Sequence, residues 1–200
     1  LPPQLALFFV PTYRRRLPHT HQIGEPLFVT WRLAGSLPEN RPFRREDLTD
    51  GRAFVVFDRL LDVARTGPFH LRHPEIAGMV ANHLMRLAKA EELYDLHAFV
   101  LMPNHVHLLL TPNIPFSRIA RLAKGATARR ANQILSMSGI AFWQDESFDH
   151  RVRDRAEFSR VVRYIEMNPV RAALAAAPES FFYSSASPEW SQRLNEQERG

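Results

Sequence analysis

The chain has 200 residues, 45% hydrophobic and 24% charged, with 26 Lys and Arg against 21 Asp and Glu and a formal net charge of +5. That length suits one domain with a real core, and no run of ~18 apolar residues reads as a membrane span. Cysteine is absent, which excludes disulfides and thiolate metal sites and fits a reducing cytoplasm.

Leu1 to Val10 is apolar but has no basic leading region and no small-residue cleavage pattern, so it does not read as a signal peptide. Tyr13-Arg14-Arg15-Arg16 opens a basic arm within residues 1–24. Leu27 to Leu33 reads as a strand, rich in aromatic and β-branched residues. Pro38 to Arg45 is loop, Ala53 to Ala64 is helical, and Thr66-Gly67-Pro68 ends that helix. His73-Pro74 starts the next helix, with Ile76, Val80, Leu84 and Leu87 on its buried face. Leu93 to Leu101 and the run after Met102-Pro103-Asn104 form an antiparallel hairpin that stops at Thr111-Pro112. A long helix follows from Pro115 or Ser117 to about Ser136, interrupted at Gly125. Phe148 to Arg153 is a short strand. Asp154 caps a final helix, with Glu157 in the capping-box position and Phe158, Val161, Val162 and Ile165 as its core stripe. Pro169 predicts that this helix stops near Asn168; the tail over 178–200 carries Phe181, Phe182 and Tyr183, then becomes polar and is expected to fray. Helices segregated on one face of an antiparallel sheet make an α+β two-layer domain, with the ferredoxin-like arrangement as the nearest template.

Two residues in that frame stand out. His105 and His107 alternate within a strand pattern, so their imidazoles share a face and make half of a divalent-metal site. His-x-His is weak alone: nine histidines also give His19-Thr20-His21, which lies among turn formers with nothing to fix its geometry. On the last helix Tyr164 and Asn168 are four residues apart, hence on one face. Asn168 offers a carbonyl oxygen as a third neutral ligand, and Tyr164 a phenolic oxygen one turn earlier. Spacing equally allows a boundary tyrosine with its hydroxyl in water and a simple C-cap before proline. No acidic residue occurs between Asp95 and Asp145, a stretch that carries Arg118, Arg121, Lys124, Arg129 and Arg130. A positive field around a metal site favours a polyanion such as nucleic acid.

Met102-Pro103-Asn104-His105-Val106-His107-Leu108-Leu109 resembles the metal-binding strand of the HUH single-tyrosine transposases. Tyr164-Ile165-Glu166-Met167-Asn168-Pro169-Val170-Arg171-Ala172 resembles their nucleophile helix. The resemblance is closest to the REP-associated tyrosine transposase branch of the IS200-like superfamily. Tyr13 to His19, Leu27 to Leu33, Lys124-Gly125, Phe142-Trp143-Gln144 and Phe148-Asp149-His150 support it, over about Tyr13 to Ala186. One departure is Ala173, where relatives commonly have glycine.

The resemblance implies an HUH endonuclease fold. It makes His105, His107 and Asn168 the ligands of Mg²⁺ or Mn²⁺ and Tyr164 the nucleophile, forming a 5′-phosphotyrosine and freeing a 3′-hydroxyl. Such a site needs an unstacked strand, so single-stranded or hairpin DNA, including REP-like palindromes, is the expected partner. Arg14, Arg15, Arg16, Arg118, Arg121, Lys124, Arg129 and Arg130 are the candidate phosphate contacts. Trp143 is a candidate base-stacking ring, and His150 faces the DNA or supports the site. A monomer in the bacterial cytoplasm, associated with the nucleoid, is expected. Two other readings remain open: a non-catalytic hairpin-DNA binding protein, and a metal-dependent phosphodiesterase that uses water.

Overall fold

The computed structural model describes residues 22–37, 58–62, 67–145 and 147–196. Arg14, Arg15, Arg16, the His19/His21 pair and the loop expected over Pro38 to Arg45 lie outside them, as do both ends of the helix expected over Ala53 to Ala64. Residues 58–62, within that expected helix, are helical.

The main elements run β1 (Leu27–Arg32), α1 (Pro74–Lys89), β2 (Tyr94–Leu101), β3 (His105–Pro112), α2 (Phe116–Ile134), β4 (Phe148–Arg151), α3 (Arg155–Arg171) and α4 (Pro188–Asn195). The four strands form one antiparallel sheet in the order β2-β3-β1-β4. Proline at the first turn of α1 gives up an N–H that has no helical partner anyway. Asp154 accepts from the Glu157 N–H at 2.8 Å, so the expected cap opens α3. Gly125 does not break α2, which runs through it without interruption.

The class is α+β, as the element order predicts, but helices cover both faces of the sheet rather than one. Strand alternation explains why. Leu27, Val29, Trp31, Val106, Leu108 and Leu110 point to one side, where Ile76, Val80, Leu84, Ile119 and Ala123 of α1 and α2 complete the larger core. Phe28, Ala98, Val100 and Leu109 point to the other, where Val161 and Ile165 of α3 close a smaller core. Strands β1 to β3 are buried on both faces, and a sheet apolar on both sides needs a cover on each.

Two further expectations fail at the end of the chain. Helix α3 does not stop at Asn168; it carries Pro169 inside it and ends at Arg171. Proline there forfeits one bond within the last turn, and the Ala172 N–H still reaches the Asn168 carbonyl at 3.0 Å. The end is made by Ala173 at φ 55°, with the Leu174 N–H bonded to the Pro169 carbonyl at 2.8 Å. The tail does not fray through residue 196. Trp190 of α4 is buried edge-on against Phe99 with ring centres 5.5 Å apart. Truncating such a ring typically costs about 3–5 kcal/mol, enough to hold a two-turn helix in place.

Candidate metal centre and nucleophile

The α3 side of the sheet carries the histidines. On β3, His105, His107 and Leu109 alternate with Val106, Leu108 and Leu110, so both imidazoles point toward α3 and are fully buried. Their orientation is fixed from behind. Asn104 donates from Nδ2 to the Leu61 carbonyl at 3.0 Å, which leaves its Oδ1 to accept from His105 Nδ1 at 2.7 Å. The hydrogen of His105 therefore sits on Nδ1, and the Nε2 lone pair faces inward. Burial first, and the neighbouring His107 second, push His105 down to about 3, against the pull of Asp58. It stays neutral, the form a metal requires. Thr30, paired with His107 across β1 and β3, places Oγ1 2.8 Å from His107 Nδ1.

The Nε2 atoms of His105 and His107 lie 3.1 Å apart. Two ligand atoms each about 2.1 Å from one ion, at a right angle, are about 3 Å apart. Helix α3 brings the other half. Asn168 is fully buried, with Nδ2 3.2 Å from His107 Nε2, and its Oδ1 has no hydrogen-bond partner among the described residues. Rotating the amide by half a turn exchanges the two atoms and turns the orphaned oxygen toward the imidazoles. A buried carbonyl oxygen without a donor, next to a lone pair facing inward, fits a cation. Tyr164 packs edge-on against Phe28 and His107, with ring centres at 5.8 and 5.7 Å, and the Arg171 guanidinium lies 4.7 Å over its ring. His105, His107, Tyr164 and Asn168 thus meet in one place.

A carboxylate that the sequence reading does not single out completes the cluster. Asp58, from the helical segment 58–62, is 1% exposed. Its Oδ1 is 3.0 Å from His107 Nε2 and 3.7 Å from His105 Nε2, and the Tyr164 hydroxyl donates to its Oδ2. Asp58, His105 and His107 each offer a ligand atom, all within 4.8 Å of one another. Burial alone would raise the Asp58 carboxyl; His107, then His105 and Arg171, hold it below the usual carboxylate range. Asp62, one turn on, has Oδ1 3.8 Å from His105 Nε2. Burial first and the Asp58 charge second push its carboxyl up to about 8. The only sequence signal was two carboxylates at helical spacing, a pattern that solvated helices share.

The other candidates are dispersed. Arg118, Arg121, Arg129 and Arg130 are exposed on α2, across the sheet from the histidines. Lys124 donates to the backbone carbonyls of Gln144 and Asp145 at 2.6 and 2.8 Å, tying α2 to the loop before β4. Trp143 is buried and donates to Thr127 Oγ1 at 2.9 Å, so its ring is a core contact. His150 is buried against Glu157 at 2.8 Å and steadies the start of α3. Exposed Arg160, Arg163 and Arg171 on α3 were not singled out by sequence, yet they share the helix of Tyr164.

Comparison with known proteins agrees with this geometry. The family described as "Transposase IS200 like" matches residues 71–168, the span that holds both histidines, Tyr164 and Asn168. No match is found among curated proteins. Among solved structures, a REP-associated tyrosine transposase bound to a REP hairpin is similar over 90% of this chain and 88% of its own, with TM-score 0.58 and 16% identity. At that identity the likeness concerns the fold. A structure described as a transposase from Deinococcus radiodurans R1 covers 76% of this chain and 97% of its own, at 17% identity and a TM-score of 0.40, too low to carry weight. The matched span holds His105, His107, Tyr164 and Asn168, and over residues 71–168 the chain belongs to the IS200-like transposase family.

Proposed function

We propose that the chain is a metal-dependent endonuclease and strand transferase for single-stranded or hairpin DNA, acting through a 5′-phosphotyrosine on Tyr164. The observation that carries this reading is the convergence of the half-buried Tyr164 with the buried His105, His107 and Asn168 in a single cluster. His105 Nε2, His107 Nε2 and the Asn168 carbonyl would hold a Mg²⁺ or Mn²⁺ ion, which would supply Lewis-acid polarisation of the scissile phosphate. Tyr164, rigid against Phe28 and His107, presents its phenolic oxygen to phosphorus, and the bond to the 3′-oxygen breaks as the new P–O bond forms. The phenolic proton is given up to solvent and the departing 3′-oxygen takes one from solvent to leave as a hydroxyl, so the transesterification is balanced without a nucleotide cofactor. The phosphotyrosine keeps the bond energy, and a DNA 3′-hydroxyl can reverse the step to join strands.

Arg160, Arg163 and Arg171 on α3 would guide the strand that enters the site, while Arg118, Arg121, Arg129 and Arg130 would meet phosphates on the far side of the sheet. Arg14, Arg15 and Arg16 would add further phosphate contacts. Trp143 and His150, buried against Thr127 and Glu157, would serve the fold. The hairpin bound by the structurally similar transposase makes a REP-like palindrome the first substrate to try. A functional monomer is part of this proposal. None of the described helices is long and apolar enough to cross a membrane, and a reaction on DNA would take place in the cytoplasm at the nucleoid.

The test incubates a labelled hairpin with protein and Mn²⁺, comparing wild type with Tyr164→Phe and His105→Ala on a denaturing gel. A protein–DNA adduct lost in both variants supports transesterification. Cleavage that survives Tyr164→Phe indicates water as nucleophile, and binding without cleavage indicates a non-catalytic hairpin binder.

A further inference from the structure

Residues 71–168 account for the histidines, the tyrosine and the asparagine, but Asp58 lies upstream of that matched span. Its carboxylate is nonetheless at the centre of the cluster. One oxygen faces both imidazoles, and the other takes the Tyr164 hydroxyl. We infer that Asp58 is a fourth cation ligand in this chain and that its second oxygen positions the nucleophile, so that one carboxylate joins the metal to Tyr164. This inference rests on the metal-dependent reading above.

Three observations carry it. The 3.0 Å between Asp58 Oδ1 and His107 Nε2 matches the 3.1 Å between the two imidazoles, as ligand atoms at right angles on one ion require. Asp58 is as buried as the histidines, and its Oδ1 faces both imidazoles. The segment 58–62 is also tied to the metal strand by the Asn104 Nδ2 to Leu61 carbonyl bond, so Asp58 and His105 are set by the same side chain. Chemically, two imidazoles and an amide form a neutral set. A carboxylate adds negative charge and a hard oxygen, which favours Mg²⁺ or Mn²⁺ over softer ions.

The test is Mn²⁺ binding alone, followed by electron paramagnetic resonance on the full chain stripped of metal, for wild type, Asp58→Asn and His105→Ala. Asp58→Asn keeps the shape and a hydrogen-bond acceptor for Tyr164 while deleting the charge. It should weaken Mn²⁺ binding at least tenfold, with an unchanged circular dichroism spectrum. Wild-type affinity in Asp58→Asn, with loss in His105→Ala, overturns the inference and leaves the histidine site intact. Wild-type affinity in both variants instead overturns the metal reading itself. A second measurement needs no variant: Fe²⁺ with peroxide and ascorbate cuts backbone near the bound ion. Cuts near residues 58 and 105–107 support Asp58 as a ligand, and cuts near 105–107 alone overturn it.

Discussion

Asn104 accepts from His105 Nδ1 at 2.7 Å while donating to the Leu61 carbonyl at 3.0 Å. The first bond fixes which imidazole nitrogen faces the site; the second holds the segment that brings Asp58 to it. Partners behind a metal-ligating histidine typically contribute about 10–100-fold to metal affinity. Asn104→Ala should therefore weaken Mn²⁺ binding by roughly that factor, with no ligand removed. Thr30→Val, which deletes the hydroxyl beside His107 Nδ1, should act in the same direction with a smaller effect, near the lower end of ~10-fold. Calorimetric titration of each variant with Mn²⁺ checks both.

Asp62 gives a pH prediction of definite sign. Its carboxyl is pushed up to about 8 in the folded chain by burial and by Asp58, against 3.8 as the ordinary value. Between those values the folded state holds a proton that the unfolded state has released. Stability from this group is therefore full below pH 3.8 and lost as pH rises through about 8. Asp62→Asn removes that slope. Measured in EDTA, its Tm relative to wild type should rise from pH 5 to pH 9, and a constant difference would contradict the assignment.

Ala173 ends α3 at φ 55°, where a side chain is strained and glycine is not. Ala173→Gly should stabilise the protein by about 0.5–1 kcal/mol, the strain relieved outweighing the added freedom of the unfolded chain. Urea unfolding measures it. Mn²⁺ affinity should not change, because Ala173 lies beyond the end of α3, five positions after Asn168.

Glu157 serves the start of α3 three times over. Its Oε1 pairs with His150 at 2.8 Å, its Oε2 accepts from the Arg153 N–H at 2.7 Å, and its own N–H is capped by Asp154. Glu157→Ala should cost about 2–3 kcal/mol in urea unfolding, since it removes the carboxylate that pairs with the buried His150 and accepts from the Arg153 N–H. The adduct-forming activity should survive at permissive temperature. Loss of activity in a folded variant would place His150 nearer the chemistry than its geometry does.

Most of the frame was legible because strand alternation and helical spacing act locally. His105 and His107 had to share a face once β3 was a strand, and Tyr164 and Asn168 had to share one once α3 was a helix. What was not legible depends on contacts between distant segments. Asp58 lies 49 positions before His107 in the sequence, and nothing in its own neighbourhood distinguishes it from a solvated acid. The helices on both faces follow from strands apolar on both sides, which a hairpin pattern alone does not reveal. Lys124 and Trp143 read as DNA contacts by charge and ring, but Lys124 is pinned to backbone carbonyls and Trp143 is buried against Thr127. Pro169 reads as a stop, yet a proline near the C-terminal end of a helix costs only one bond in a turn already short of them.

The most direct measurement maps the covalent bond. After reaction with a labelled hairpin and Mn²⁺, trypsin should release Tyr164 as the first residue of the peptide ending at Arg171. The account predicts that this peptide alone among the tyrosine-containing peptides carries the nucleotide, and that the mass shift vanishes in His105→Ala. Cleaved DNA with a free 5′-phosphate and every tyrosine unmodified would contradict it.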